Sequence, residues 1–84
     1  MEQICYTTKG VCSRKIYIDI EDGIVINVKF EGGCSGNTQG VAALSVGMSV
    51  DEVIRRVEGI RCGFKSTSCP DQLAKALKEY KCKA

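Results

Sequence analysis

The sequence predicts an α+β fold, a small antiparallel sheet of about three strands with three helices on one face. Three observations carry this expectation. Residues 16–20 and 26–30 alternate apolar and polar side chains on either side of Asp22-Gly23, as two half-buried strands joined by a tight turn do. Val50, Val53, Ile54 and Val57 recur at helical spacing just after Ser49. Leu73, Ala74, Ala76, Leu77 and Tyr80 make a second helical stripe behind Pro70. Strands come first and helices after, which implies helices segregated to one face of the antiparallel sheet.

Each element has its own signal. Cys5-Tyr6-Thr7-Thr8 has strand-forming residues and reads as an edge strand. In the hairpin, Ile16, Ile18 and Ile20 share one face, and Lys15, Tyr17 and Asp19 the other. By the same alternation Ile26, Val28 and Phe30 face inward and Asn27, Lys29 and Glu31 outward. The second strand runs into Gly32-Gly33-Cys34-Ser35-Gly36-Asn37, a glycine-rich stretch that marks a sharp turn. A helix is expected from about Thr38 to Val46, with Gly47 as its stop. Ser49 and Glu52 have the spacing of a capping box, and Gly59 sits where a left-handed C-terminal residue belongs. Pro70 suits the first position of the last helix, with Ser68 or Cys69 as its cap.

A chain of 84 residues makes a single domain, over 1–84. A domain this small buries only about 60–65% of the surface its unfolded chain exposes, so its core is thin, and a metal or disulfides commonly make up the difference. Twelve basic and ten acidic residues give a net charge of +2, too balanced for nucleic-acid binding. The lysines of the last helix read as a solvated face. No apolar run approaches the roughly 18 residues of a membrane span, so no membrane partner is expected. The opening Met-Glu-Gln-Ile-Cys lacks a charged-then-apolar signal, so the expected location is cytoplasmic. In that reducing compartment, the six cysteines read as metal ligands or redox thiols before disulfides.

Four cysteines stand out. Cys12 and Cys34 flank the hairpin at similar distances from its turn, which predicts that they meet at its open end. Cys62 and Cys69 lie in the loop between the last two helices, Cys69 at a helix start, where free N–H groups favour a thiolate. Four thiols in turns suit tetrahedral zinc. The sequence has no histidine, so any metal ligand must be Cys, Asp, Glu or a backbone group, and a cysteine nucleophile would lack its usual base. Rival readings are core packing and disulfides. Cys5 and Cys82 read as small packing residues or exposed free thiols. The glycine turn lacks the lysine of a phosphate-binding loop.

Thr67-Ser68-Cys69-Pro70-Asp71, together with Gly33-Cys34-Ser35-Gly36-Asn37 and Cys62-Gly63, resembles the pattern of the TSCPD domain family, from about Val11 to Leu77. The resemblance implies zinc held by Cys12, Cys34, Cys62 and Cys69. It also implies a link to ribonucleotide reduction and DNA synthesis, because the same domain ends the adenosylcobalamin-dependent ribonucleotide reductases. A chain of this size cannot enclose such an enzyme's barrel, so the implied role is an accessory or redox module partnered by a ribonucleotide reductase or a thioredoxin-type protein, with no catalytic residue of its own. A more distant similarity is to the U-type iron–sulfur cluster assembly scaffolds, whose ligand positions fall on Cys12, Cys34 and Cys69. Arg14 and Ser68 stand where those proteins carry Asp and His, and Cys62 adds a fourth thiol. The alternative function is therefore an iron–sulfur cluster scaffold or carrier.

Overall fold

The structure is a computed structural model. It describes residues 2–11, 13–32, 35–61 and 67–83, with side chains throughout except at 35–37 and 83. Three strands, β1 (Glu2–Thr7), β2 (Ser13–Glu21) and β3 (Ile24–Gly32), precede three helices, α1 (Ser35–Ser45), α2 (Val50–Val57) and α3 (Cys69–Lys83). The sheet is an antiparallel meander in the order β1-β2-β3. The expected α+β architecture of a three-stranded sheet and three helices is what the described residues adopt.

The turn between β2 and β3 explains the hairpin. Asp22 (φ 52) and Gly23 (φ 75) both take left-handed backbone, the conformation that matches the twist of paired strands in a two-residue turn. One face of the sheet then carries Ile16, Ile18, Ile20, Val25 and Val28 into a core completed by Val50, Val53 and Ile54 of α2 and Leu73, Ala76 and Leu77 of α3. The other face, with Lys15, Tyr17 and Lys29, is open to solvent.

Two β-bulges alter the strict alternation. Asp19 pairs with Asn27, but Ile20 pairs with Val25, so Ile26 is an extra residue on β3. The bulge reverses the inside–outside order there. Val25 is buried, and Ile26, expected in the core, is 39% exposed. At the other end of the hairpin Ser13 pairs with Gly32 and Lys15 with Glu31, leaving Arg14 as the extra residue on β2. Counting back from Ile16 would put Arg14 inside and Ser13 outside. The bulge does the opposite.

The helix boundaries differ from the sequence reading in detail. Helix α1 spans Ser35–Ser45, starting earlier than Thr38 and stopping a residue before Val46, with Gly47 (φ 90) just beyond it. Gly47 N–H donates to Val25 O at 2.8 Å and Val25 N–H to Met48 O at 2.8 Å, which stitches the α1–α2 link onto β3. Ser49 caps α2 by accepting from Glu52 N–H at 3.2 Å. The reciprocal half of the expected capping box is replaced, because the Glu52 carboxylate pairs with Arg55 and Arg56. These pairs lower the Glu52 carboxyl pKa, chiefly through the hydrogen bond from Arg56 and then that from Arg55. Helix α3 begins at Cys69, so Pro70 occupies its second position and Ser68 is the cap. Pro still fits, since the N–H it lacks would have no intrahelical partner in the first turn. Among the described residues no helix is long and apolar enough to cross a membrane.

Candidate functional site

The start of α3 is an unusual concentration of buried polarity. Thr67, Ser68, Asp71 and Gln72 are all nearly inaccessible, as is Cys69 (8% exposed). A buried polar group is costly unless its hydrogen bonds are made, and here Ser68, Asp71 and Gln72 each hold another part of the chain while Thr67 links Asp71 to Gln72. Ser68 Oγ accepts from Asp71 N–H at 3.2 Å, closing the helix cap, and donates to Ile60 O at 2.6 Å. Asp71 Oδ1 accepts from Gly59 N–H at 2.8 Å, just past the end of α2, while its other oxygen takes the Thr67 hydroxyl. Gln72 Nε2 donates to Thr67 Oγ1 at 3.0 Å, and its carbonyl oxygen accepts from Lys9 N–H at 3.1 Å. One short segment therefore ties down both the β1–β2 loop and the exit of α2.

The charge of Asp71 is supported by the same bonds. Burial raises the cost of its carboxylate, but the Thr67 hydroxyl, the Gly59 N–H and nearby Lys75, at 3.5 Å, outweigh that cost and hold its pKa below the ordinary value. Its place in the first turn of α3 also sets the negative charge against the positive end of the helix dipole.

Cys69 is the first residue of α3, and its Sγ lies 3.3 Å from Ser13 Oγ. Ser13 is 3% exposed. It faces inward because of the Arg14 bulge, and its backbone is fixed by pairing with Gly32 and by the Thr8 side chain, which donates to Ser13 O. Arg14 itself points to solvent and lies 3.7 Å from Glu31.

Of the four cysteines singled out in the sequence, Cys69 is placed here, while Cys12, Cys34 and Cys62 lie outside the described residues. Among the described residues, no group of three or more Cys, Asp or Glu is arranged to hold a metal ion. Cys5 and Cys82 are exposed free thiols and Cys69 a buried one. The described neighbours of the other three cysteines nevertheless come to the same place. Ser13, which follows Cys12, touches Cys69. Gly32, two residues before Cys34, pairs with Ser13. Ile60, two residues before Cys62, is bonded to Ser68.

Sequence reasoning named the cysteines but missed Ser13, Thr67, Asp71 and Gln72 as parts of the site. Asp71, third in α3, carried a signal as a helix N-terminal carboxylate. Ser13 carried none, because strict alternation places it on the wrong face.

Nearby, Val41, Leu44, Met48, Val57, Ile60 and Pro70 line an open groove of about 550 Å³ that is mainly apolar. It offers few groups able to do chemistry.

A three-stranded meander backed by three helices, with a cysteine-bearing helix start drawn to the open end of the hairpin, defines a small α+β domain organised around its last helix. The chain belongs to the TSCPD domain family, which it matches over residues 1–81. No curated protein and no solved structure shows significant similarity to it.

Proposed function

We propose that the domain binds zinc through the thiolates of Cys12, Cys34, Cys62 and Cys69 and works as an accessory module. The observation that carries this reading is the convergence on the start of α3. The described residues next to three of the cysteines are held by hydrogen bonds or strand pairing around the fourth. Cys12 is one residue from Ser13, and Cys34 and Cys62 are each two residues from Gly32 and Ile60. A two-residue tether reaches about 7 Å at most, a span compatible with all four thiols serving one site. The donor set also fits. Four thiolates with no histidine suit a closed tetrahedral zinc site, and such a site contributes its binding energy directly to folding. In a thin core that contribution is large.

Metal analysis combined with a thiol count on native protein tests this. The expected result is one zinc per chain, with Cys5 and Cys82 open to alkylation and the other four protected. Brown protein containing iron and sulfide would favour the cluster-scaffold reading. A Cys34→Ser variant that keeps both its metal and its melting temperature would refute the ligand assignment.

The accessory role belongs to the same proposal. A ribonucleotide reductase or thioredoxin-type partner would meet the exposed thiols of Cys5 and Cys82 before the buried one of Cys69. Reversible oxidation by such a partner is the expected signature; if it survives replacement of both by Ser, the exchanging thiols are Cys62 and Cys69 instead.

A further inference from the structure

We propose that Ser13 is a positioning residue of this metal centre, its hydroxyl donating a hydrogen bond to the Cys69 thiolate and so setting that ligand's orientation and hold on the metal. The inference rests on the four-thiolate reading above and adds a residue that the cysteine pattern does not reveal.

Four observations support it. Ser13 Oγ is 3.3 Å from Cys69 Sγ, within the range for a hydrogen bond to sulfur, and both residues are buried. The contact is built, because the Arg14 bulge turns Ser13 inward and the Gly32 pairing and Thr8 side chain fix its backbone. Bulges next to functional sites commonly re-aim a side chain in this way. The backbone after Cys69 also leaves the role open: Pro70 has no N–H, the Asp71 N–H is taken by Ser68 Oγ, and the Gln72 N–H is taken by Ser68 O. The donors of the first turn that would otherwise reach the sulfur are absent or occupied, and a side-chain hydroxyl from β2 supplies one.

The chemistry gives the bond a purpose. Four thiolates around a divalent ion leave a net charge of −2, and a neutral hydroxyl disperses part of it without adding charge of its own. Groups that hydrogen-bond to metal ligands typically change affinity by about ten- to a hundredfold when removed. Ser13 also joins the hairpin's open end to the helix start, so loss of the hydroxyl loosens the ligand geometry as well.

The test compares wild type with Ser13→Ala and Ser13→Thr in full-length protein. Zinc affinity is measured by competition with a chromophoric chelator, and the thiolate-to-metal charge-transfer band is recorded after loading with cobalt(II). Ser13→Ala is expected to keep a single bound metal, lose about tenfold or more in zinc affinity and shift the cobalt band. Ser13→Thr, which keeps the hydroxyl, should recover most of both. If Ser13→Ala binds within twofold of wild type with an unchanged band, the inference is overturned while the metal reading stands. Equal losses in both variants would mark Ser13 as a packing residue and overturn it too. Wild-type protein that binds neither metal removes the four-thiolate reading and this inference together.

Discussion

Replacing Asp71 tests whether the start of α3 is the clamp described above. The carboxylate accepts from two donors, the Gly59 N–H at 2.8 Å and the Thr67 hydroxyl. In Asp71→Ala both lose their partner, the Thr67 hydroxyl in a buried position and the Gly59 N–H at an exposed one that water can reach. An unsatisfied buried donor costs about 1–3 kcal/mol and loss of a hydrogen bond that water can replace costs less, so the two together amount to about 2–3 kcal/mol, most of it from Thr67. The Lys75 pair adds little, since Lys75 is half exposed and such helical pairs contribute only about 0.2–0.5 kcal/mol. For a domain of this size each kcal/mol moves the melting temperature by about 4–8 °C, so Asp71→Ala should melt at least about 8 °C below wild type. Asp71→Asn keeps one acceptor for Gly59 but turns an NH₂ toward Thr67 Oγ1, which already accepts from Gln72. It should fall between the two, at a cost of about 1–2 kcal/mol. Far-UV circular dichroism melts at neutral pH, with and without added zinc, measure both. If Asp71→Ala melts within about 3 °C of wild type, the bonds to Gly59 and Thr67 do not hold the fold and the clamp is wrong.

Two further outcomes follow from the core and from the charges on α2. Leu77 is fully buried between α3 and the sheet, so Leu77→Ala should cost about 2–5 kcal/mol, read as a lower urea midpoint with an unchanged slope. Glu52 has its folded-state pKa lowered by Arg56 and Arg55, so its contribution to stability is full above the unfolded carboxyl value and fades as pH falls through the lower folded one. Glu52→Gln should therefore melt below wild type at neutral pH, and the gap should close in acid and shrink in high salt, because the pairs are solvent-exposed. A gap that persists in acid would show that Glu52 acts through something other than its charge.

The sequence by itself determined the order and type of the elements. Local signals sufficed for that: alternation on β2, the Asp22-Gly23 turn, Ser49 capping α2, and the apolar stripe from Leu73 to Leu77. It also marked Cys69 as a helix-start thiol. Only the tertiary structure decided which side chains meet there. The Ile26 and Arg14 bulges depend on how β2 and β3 pair, and each reverses the alternation that a single strand would show. Val25 thereby replaces Ile26 in the core, and Ser13 replaces Arg14 on the inner face. The roles of Asp71 and Gln72 depend on Gly59 and Lys9, 12 and 63 residues away, which become neighbours only when α3 packs onto the sheet. A residue's period along the chain is set by its own backbone, but its facing partner is set by strand pairing and helix docking, which local pattern does not encode.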